Sequence, residues 1–81
     1  MVRKLLDNDN EQVMRFLKQD PEFNIFIIGD IEQFGYVCEF QSLFGEFENN
    51  ELKAVVLQYR NNIVYYSPDK RSITPFTEVL D

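Results

Sequence analysis

The sequence predicts an α+β domain built as a short first strand, two helices, a three-stranded antiparallel meander and the start of a further helix. Three observations lead there. Apolar residues recur at helical spacing up to Phe34, strand-type residues dominate from Tyr36 to Tyr66, and asparagine pairs punctuate that second region at Asn49-Asn50 and Asn61-Asn62. With 81 residues the chain makes one small domain, residues 1–81. A domain of this size buries only about 60 % of the surface its unfolded form exposes. Leu, Ile, Val and Phe supply 28 of the 81 residues, enough for a folded core and against disorder.

Val2–Leu6 is a short apolar run suited to a first strand. Asp7-Asn8-Asp9-Asn10 follows, rich in residues that cap helices, and Asp9 with Gln12 three positions on has the form of a capping box. Val13, Phe16 and Leu17 then give the first helix one apolar stripe. Asp20-Pro21 stops it, because proline pushes the preceding residue out of the helical region. The same dipeptide opens a second helix, with Pro21 at its first position and Glu22 on the positive end of the dipole. Phe23, Phe26, Ile27, Ile31 and Phe34 form its apolar face, and Gly35 stands where a left-handed cap belongs. The competing reading of Ile25–Ile28 is a buried strand; caps at both ends favour helix over Asp20–Phe34. Gly29 inside it costs about 1 kcal/mol relative to alanine, which points to close packing against a neighbour or to backbone approach to a ligand.

Tyr36–Glu48 is rich in aromatic and β-forming residues and ends at Asn49-Asn50, a pair tolerant of positive φ. Leu52–Tyr59 returns, with Val55, Leu57 and Tyr59 on one face and Ala54 and Val56 on the other. After Asn61-Asn62, Ile63–Tyr66 completes the meander. The last two strands are apolar on both faces, so cover is expected on both. Ser67-Pro68-Asp69 breaks the sheet. Thr74-Pro75 then begins a final helix with Phe76, Val79 and Leu80 on one side, which stops after about two turns at Asp81 and reads as a truncation point.

Composition excludes several functions. There are 8 Lys+Arg against 14 Asp+Glu, a net charge of −6, too acidic and too sparsely basic for a nucleic-acid surface. The longest apolar stretch, Ile25–Ile28, is far below the ~18 residues of a membrane span. Met1–Lys4 leads into only Leu5-Leu6, which is no signal peptide, and with a lone thiol the cytoplasm is the expected location. Without histidine, and with Cys38 alone, neither a zinc site nor a Ser–His or Cys–His nucleophile pair can be assembled. Cys38 is read as a small buried hydrophobe.

Two clusters could carry chemistry. Glu46 and Glu48 share one face of a strand, as a catalytic carboxylate pair or, more simply, as the solvated side of a hairpin. Tyr59, Tyr65 and Tyr66 crowd the second turn and read as cross-strand packing pairs, although a tyrosine hydroxyl can act as a general acid. Gly29, Gly35 and Gly45 are scattered and make no phosphate cradle.

The element order, together with Asp20-Pro21-Glu22-Phe23-Asn24-Ile25-Phe26-Ile27-Ile28-Gly29-Asp30-Ile31-Glu32, Phe44-Gly45-Glu46-Phe47-Glu48, Leu52-Lys53-Ala54-Val55-Val56-Leu57 and the Asn-Asn turn before Ile63-Val64-Tyr65-Tyr66, resembles the N-terminal half of bacterial GNAT-family N-acetyltransferases. The resemblance runs from about Arg3 to Leu80. It implies a complete protein that transfers acetyl from acetyl-CoA to an amine, direct chemistry that needs neither His nor Cys. It also implies that main-chain groups of Tyr65, Tyr66 and Ser67 lie by position where the family's fourth strand meets the pantetheine arm. The chain departs from the family at the Gln/Arg-x-x-Gly-x-Gly/Ala loop that grips the pyrophosphate: the residues three before each glycine are Phe26, Glu32 and Ser42. The expectation is therefore an N-terminal segment, inactive alone, whose partner is the C-terminal half of its own parent chain. A second copy is a further expected partner, through Ile63–Tyr66, the strand that lacks a neighbour here. The alternative from another class is a non-catalytic interaction or ligand-binding module that uses the same half-fold.

Overall fold

The structure, a computed structural model, describes residues 1–80. Its elements follow the order β1 (Val2–Lys4), α1 (Asn10–Leu17), α2 (Ile25–Phe34), β2 (Gln41–Glu48), β3 (Glu51–Tyr59) and β4 (Asn62–Tyr66), with 3-10 turns at Asp7–Asp9 and Thr74–Phe76. The four strands form one antiparallel sheet in the order β1-β2-β3-β4, so the fold is α+β. Residues alternate across it. Leu43, Phe47, Leu52, Val55, Leu57 and Tyr66 face the helices and close a core with Leu5, Val13, Leu17, Ile27 and Ile31. Ala54 and Val56 face the other way, where Phe76 covers them and Val2, Phe44, Tyr65, Val79 and Leu80 pack alongside.

One irregularity keeps these faces in phase. Glu46 lies opposite Ala54 but Phe47 opposite Leu52, so Lys53 is the extra residue of a bulge in β3. Without it, Leu52 would fall on the same face as Ala54. Hairpin chemistry is direct at Asn49 and Asn50, whose φ values of 53° and 67° match the primed turn that two-residue hairpins favour. The second turn consists of Arg60-Asn61, with Arg60 at φ 54°, because Asn62 already pairs with Tyr59.

Main-chain direction along β4 follows from a neighbouring bond. The Arg60 N–H donates to the Phe40 carbonyl at 2.8 Å, which fixes the hydrogen-bonding phase between β2 and β3. Alternation then turns the N–H and C=O of Tyr59, Leu57 and Val55 toward β4, where they meet Asn62, Val64 and Tyr66. The main chains of Ile63 and Tyr65 consequently point outward, and among the described residues no strand pairs there.

Several expectations are corrected. The second helix begins at Ile25 rather than Asp20: Asn24 N–H donates to Asp20 O at 3.1 Å, but residues 21–24 remain a turn, and Asp20-Pro21 caps nothing. Phe23 and Phe26 are exposed, leaving Ile27 and Ile31 to anchor α2. An alanine Cβ at Gly29 would meet nothing within 4 Å, so that glycine serves no close packing. Gly35 does have positive φ, 73°, but its ψ of −164° leaves it outside the left-handed helical well. β2 starts at Gln41, since residues 36–40 are bends and turns closed by an isolated bridge between Cys38 and Gln41, and they bring Tyr36 into the core. Asp9 caps no α-helix; its side chain turns back to Arg3 and the Leu6 N–H. Cys38 is half-buried rather than buried. The final helix is, within the described residues, a single 3-10 turn over Thr74–Phe76. Cover is also incomplete at β4, where Ile63 is 44 % and Val64 36 % exposed.

Candidate functional site

The end of β4 and the loop after it form one wall of a cleft of about 420 Å³, lined by Asp20, Phe23, Tyr65, Tyr66, Ser67, Pro68, Lys70 and Arg71. It exists because the chain must leave the sheet at Pro68 and cross to the face opposite the helices. Ser67–Lys70 makes that reversal: Lys70 N–H donates to Ser67 O at 3.0 Å, and Lys70 itself adopts φ 56°. Ser67 Oγ accepts the Arg71 N–H at 3.1 Å and donates to Lys53 O at 3.5 Å.

The three positions implied by the family resemblance, Tyr65, Tyr66 and Ser67, are thus brought to one cleft, with differing backbone availability. Tyr65 turns both main-chain groups outward, Tyr66 is committed to Val55, and the Ser67 carbonyl is held by Lys70. Their side chains diverge. Tyr65 packs edge-on to Phe76 at 5.7 Å between ring centres and donates its hydroxyl to Arg71 O at 2.9 Å. Tyr66 lies on the helix side, 5.3 Å from the Phe16 ring and 5.6 Å from Phe23. Burial raises both hydroxyls above the ordinary tyrosine range, with Glu46 adding to the effect at Tyr65 and Asp20 at Tyr66. Neither is an acid or base near neutral pH.

Tyr59 is elsewhere. Its ring belongs to a cluster with Phe34 and Phe40 at 6.0 and 5.3 Å, with the Arg60 guanidinium 5.0 Å above Phe40. The three tyrosines do not pack with one another: Tyr65 and Tyr66 lie across the ladder from Val56 and Val55, in keeping with the cross-strand reading, and each of the three rings also meets a phenylalanine.

The carboxylate pair has a partner that sequence reasoning missed. Arg71 reaches Glu46 at 3.4 Å and Glu48 at 3.2 Å, so one guanidinium spans both. Glu46 is no solvated hairpin residue: its side chain is only 14 % exposed, and its Oε1 is buried without a hydrogen-bond partner. The signal available was the basic pair Lys70-Arg71 close behind an acidic strand; nothing in the spacing said which cation would fold over it. With Arg71 engaged, Lys70 is the exposed cation of the cleft and Asp20 its exposed anion. This arrangement can hold a small polar group by main-chain and charge contacts; it contains no activated nucleophile. Among the described residues no cluster of His, Cys, Asp and Glu could hold a metal ion, and no helix is long and apolar enough to cross a membrane.

A family-model scan and searches of curated proteins and of solved structures return no match to this chain.

Proposed function

We propose that residues 1–81 are the N-terminal segment of a GNAT-like N-acetyltransferase, cytoplasmic and inactive alone, whose complete form takes acetyl from acetyl-CoA to an amine. The observation that carries this reading is topological. Strand, two helices and an antiparallel meander join in the order β1-β2-β3-β4, with the outer side of β4 unpaired. In the family fold the next strand lies along that side, which makes the C-terminal half of the parent chain the partner. Tyr65, with its main chain turned outward, stands where the pantetheine arm would be met. The pyrophosphate cradle is supplied by neither the sequence nor the Ser67–Lys70 turn, and Lys70 offers only an exposed point charge, worth about 0–1 kcal/mol.

Calorimetry and amide shifts with CoA test this. The 81-residue chain is expected to show no saturable binding at micromolar concentrations. The coding frame beyond Asp81 is expected to carry a Gln/Arg-x-x-Gly-x-Gly segment, and the extended chain to bind CoA. A frame without that segment would shift the reading to a non-catalytic binding module; micromolar binding by residues 1–81 would show that the site lies within them.

A further inference from the structure

The outer edge of β4 offers four main-chain groups, the N–H and C=O of Ile63 and of Tyr65, since Asn62, Val64 and Tyr66 are spent on β3. No charged residue and no proline lies between Asn62 and Ser67, the devices that blunt exposed edges. Pro68 comes only after the run. Beside the edge, Ile63 and Val64 are exposed on opposite faces of the sheet, and Phe23, also exposed, leans on Tyr66.

We propose that a chain of residues 1–81 pairs with a second copy of itself, β4 against β4, antiparallel about a two-fold axis at Val64. Only one register uses all four groups. Placing Ile63 opposite Tyr65 of the second copy makes two hydrogen-bonded pairs, which is four bonds, with the two Val64 side chains meeting at the axis. Moving the axis to Ile63 or Tyr65 leaves one such pair and calls on Asn61 or Ser67, and the Ser67 carbonyl is already bonded to Lys70. The repulsion between two chains of net charge −6 opposes this pairing. Ile63 against Tyr65 on one face and Val64 against Val64 on the other extend the apolar surface of both sheets. The inference rests on the edge geometry and not on the family reading; an added strand from the parent chain would occupy the same edge and leave a monomer.

Sedimentation or light scattering up to millimolar protein, with amide exchange at low and high concentration, decides it. The mass is expected to rise toward twice the 9.7 kDa of one chain and stop there. Protection of the Ile63 and Tyr65 amides should rise with it. Ile63→Pro deletes an outward N–H while leaving the β3 ladder intact, and should hold the mass at one chain. A constant one-chain mass overturns the proposal, as does a dimer whose Ile63 and Tyr65 amides stay unprotected. Growth beyond two chains overturns the two-fold register.

Discussion

Arg3 and Asp9 form a two-point ion pair, Nη1 to Oδ2 and Nη2 to Oδ1, both at 2.9 Å. The same carboxylate accepts the Leu6 N–H at 2.8 Å, and the guanidinium lies 4.4 Å over the Phe47 ring. One charge pair thereby fixes the turn from β1 into α1 and seats it on the sheet.

The Arg3 hydrogen bonds, helped by the Leu6 N–H and opposed by burial, hold the Asp9 carboxyl below its ordinary range. A carboxyl lowered in the folded state stabilises above its unfolded pKa, and that stability is lost as pH falls through the folded value. Stability against urea should therefore fall below about pH 4, and Asp9→Asn should flatten that acid limb while costing about 2 kcal/mol at neutral pH.

Tyr36 should contribute to the loss of stability at alkaline pH. Burial first, then the charges of Asp9 and Asp7, push its hydroxyl up to about 12, and it donates to Asn10 Oδ1 at 2.8 Å. Its contribution is full below the unfolded tyrosine pKa of about 10 and disappears as pH rises toward the folded value. Tyr36→Phe should remove this part of the alkaline loss and cost about 1 kcal/mol at neutral pH. Phenolate absorbance followed alongside unfolding checks the assignment.

The two glycines Gly29 and Gly45 should respond oppositely to alanine. Gly29 is exposed in α2 with open space at its Cβ position, so Gly29→Ala should stabilise by about 1 kcal/mol. A Cβ on Gly45 would lie 2.8 Å from Leu52 Cδ1 and 2.9 Å from Leu5 Cδ2, both buried. Gly45→Ala should lower stability by about 1–2 kcal/mol. Thermal melts of the two variants compare the signs.

Phe76 is the anchor of the segment after β4, fully buried against Ala54 and Val56. Phe76→Ala should cost about 3 kcal/mol and raise amide exchange in residues 67–80. Arg71→Ala should act on the same segment by leaving the half-buried Glu46 without its cation, and its cost should shrink when Glu46→Gln is made alongside it. Equal costs with Glu46 and with Gln at that position would assign Arg71 a packing role instead.

Local chemistry determined much of this fold. The Val13, Phe16 and Leu17 stripe, the Asn49-Asn50 turn and the alternation of Ala54–Tyr59 each depend on neighbours within a few residues, so the α+β order and the two sheet faces could be read directly. Where several local signals competed, tertiary structure decided. Caps at Asp20-Pro21 suggested an early start to α2, but burying Ile27 and Ile31 under the sheet is compatible with a helix from Ile25, and the apolar Phe23 and Phe26 remain outside. The bulge at Lys53 carries no sequence mark, because only the demand that Leu52 and Val55 share one core defines it. Arg71 and Glu46 are 25 positions apart in the chain; their meeting follows from Phe76 drawing the last segment across the sheet. The outward phase of Ile63 and Tyr65 likewise belongs to no single strand. It is passed from the Arg60–Phe40 bond through β3 to the edge, since hydrogen-bond alternation is a property of paired strands.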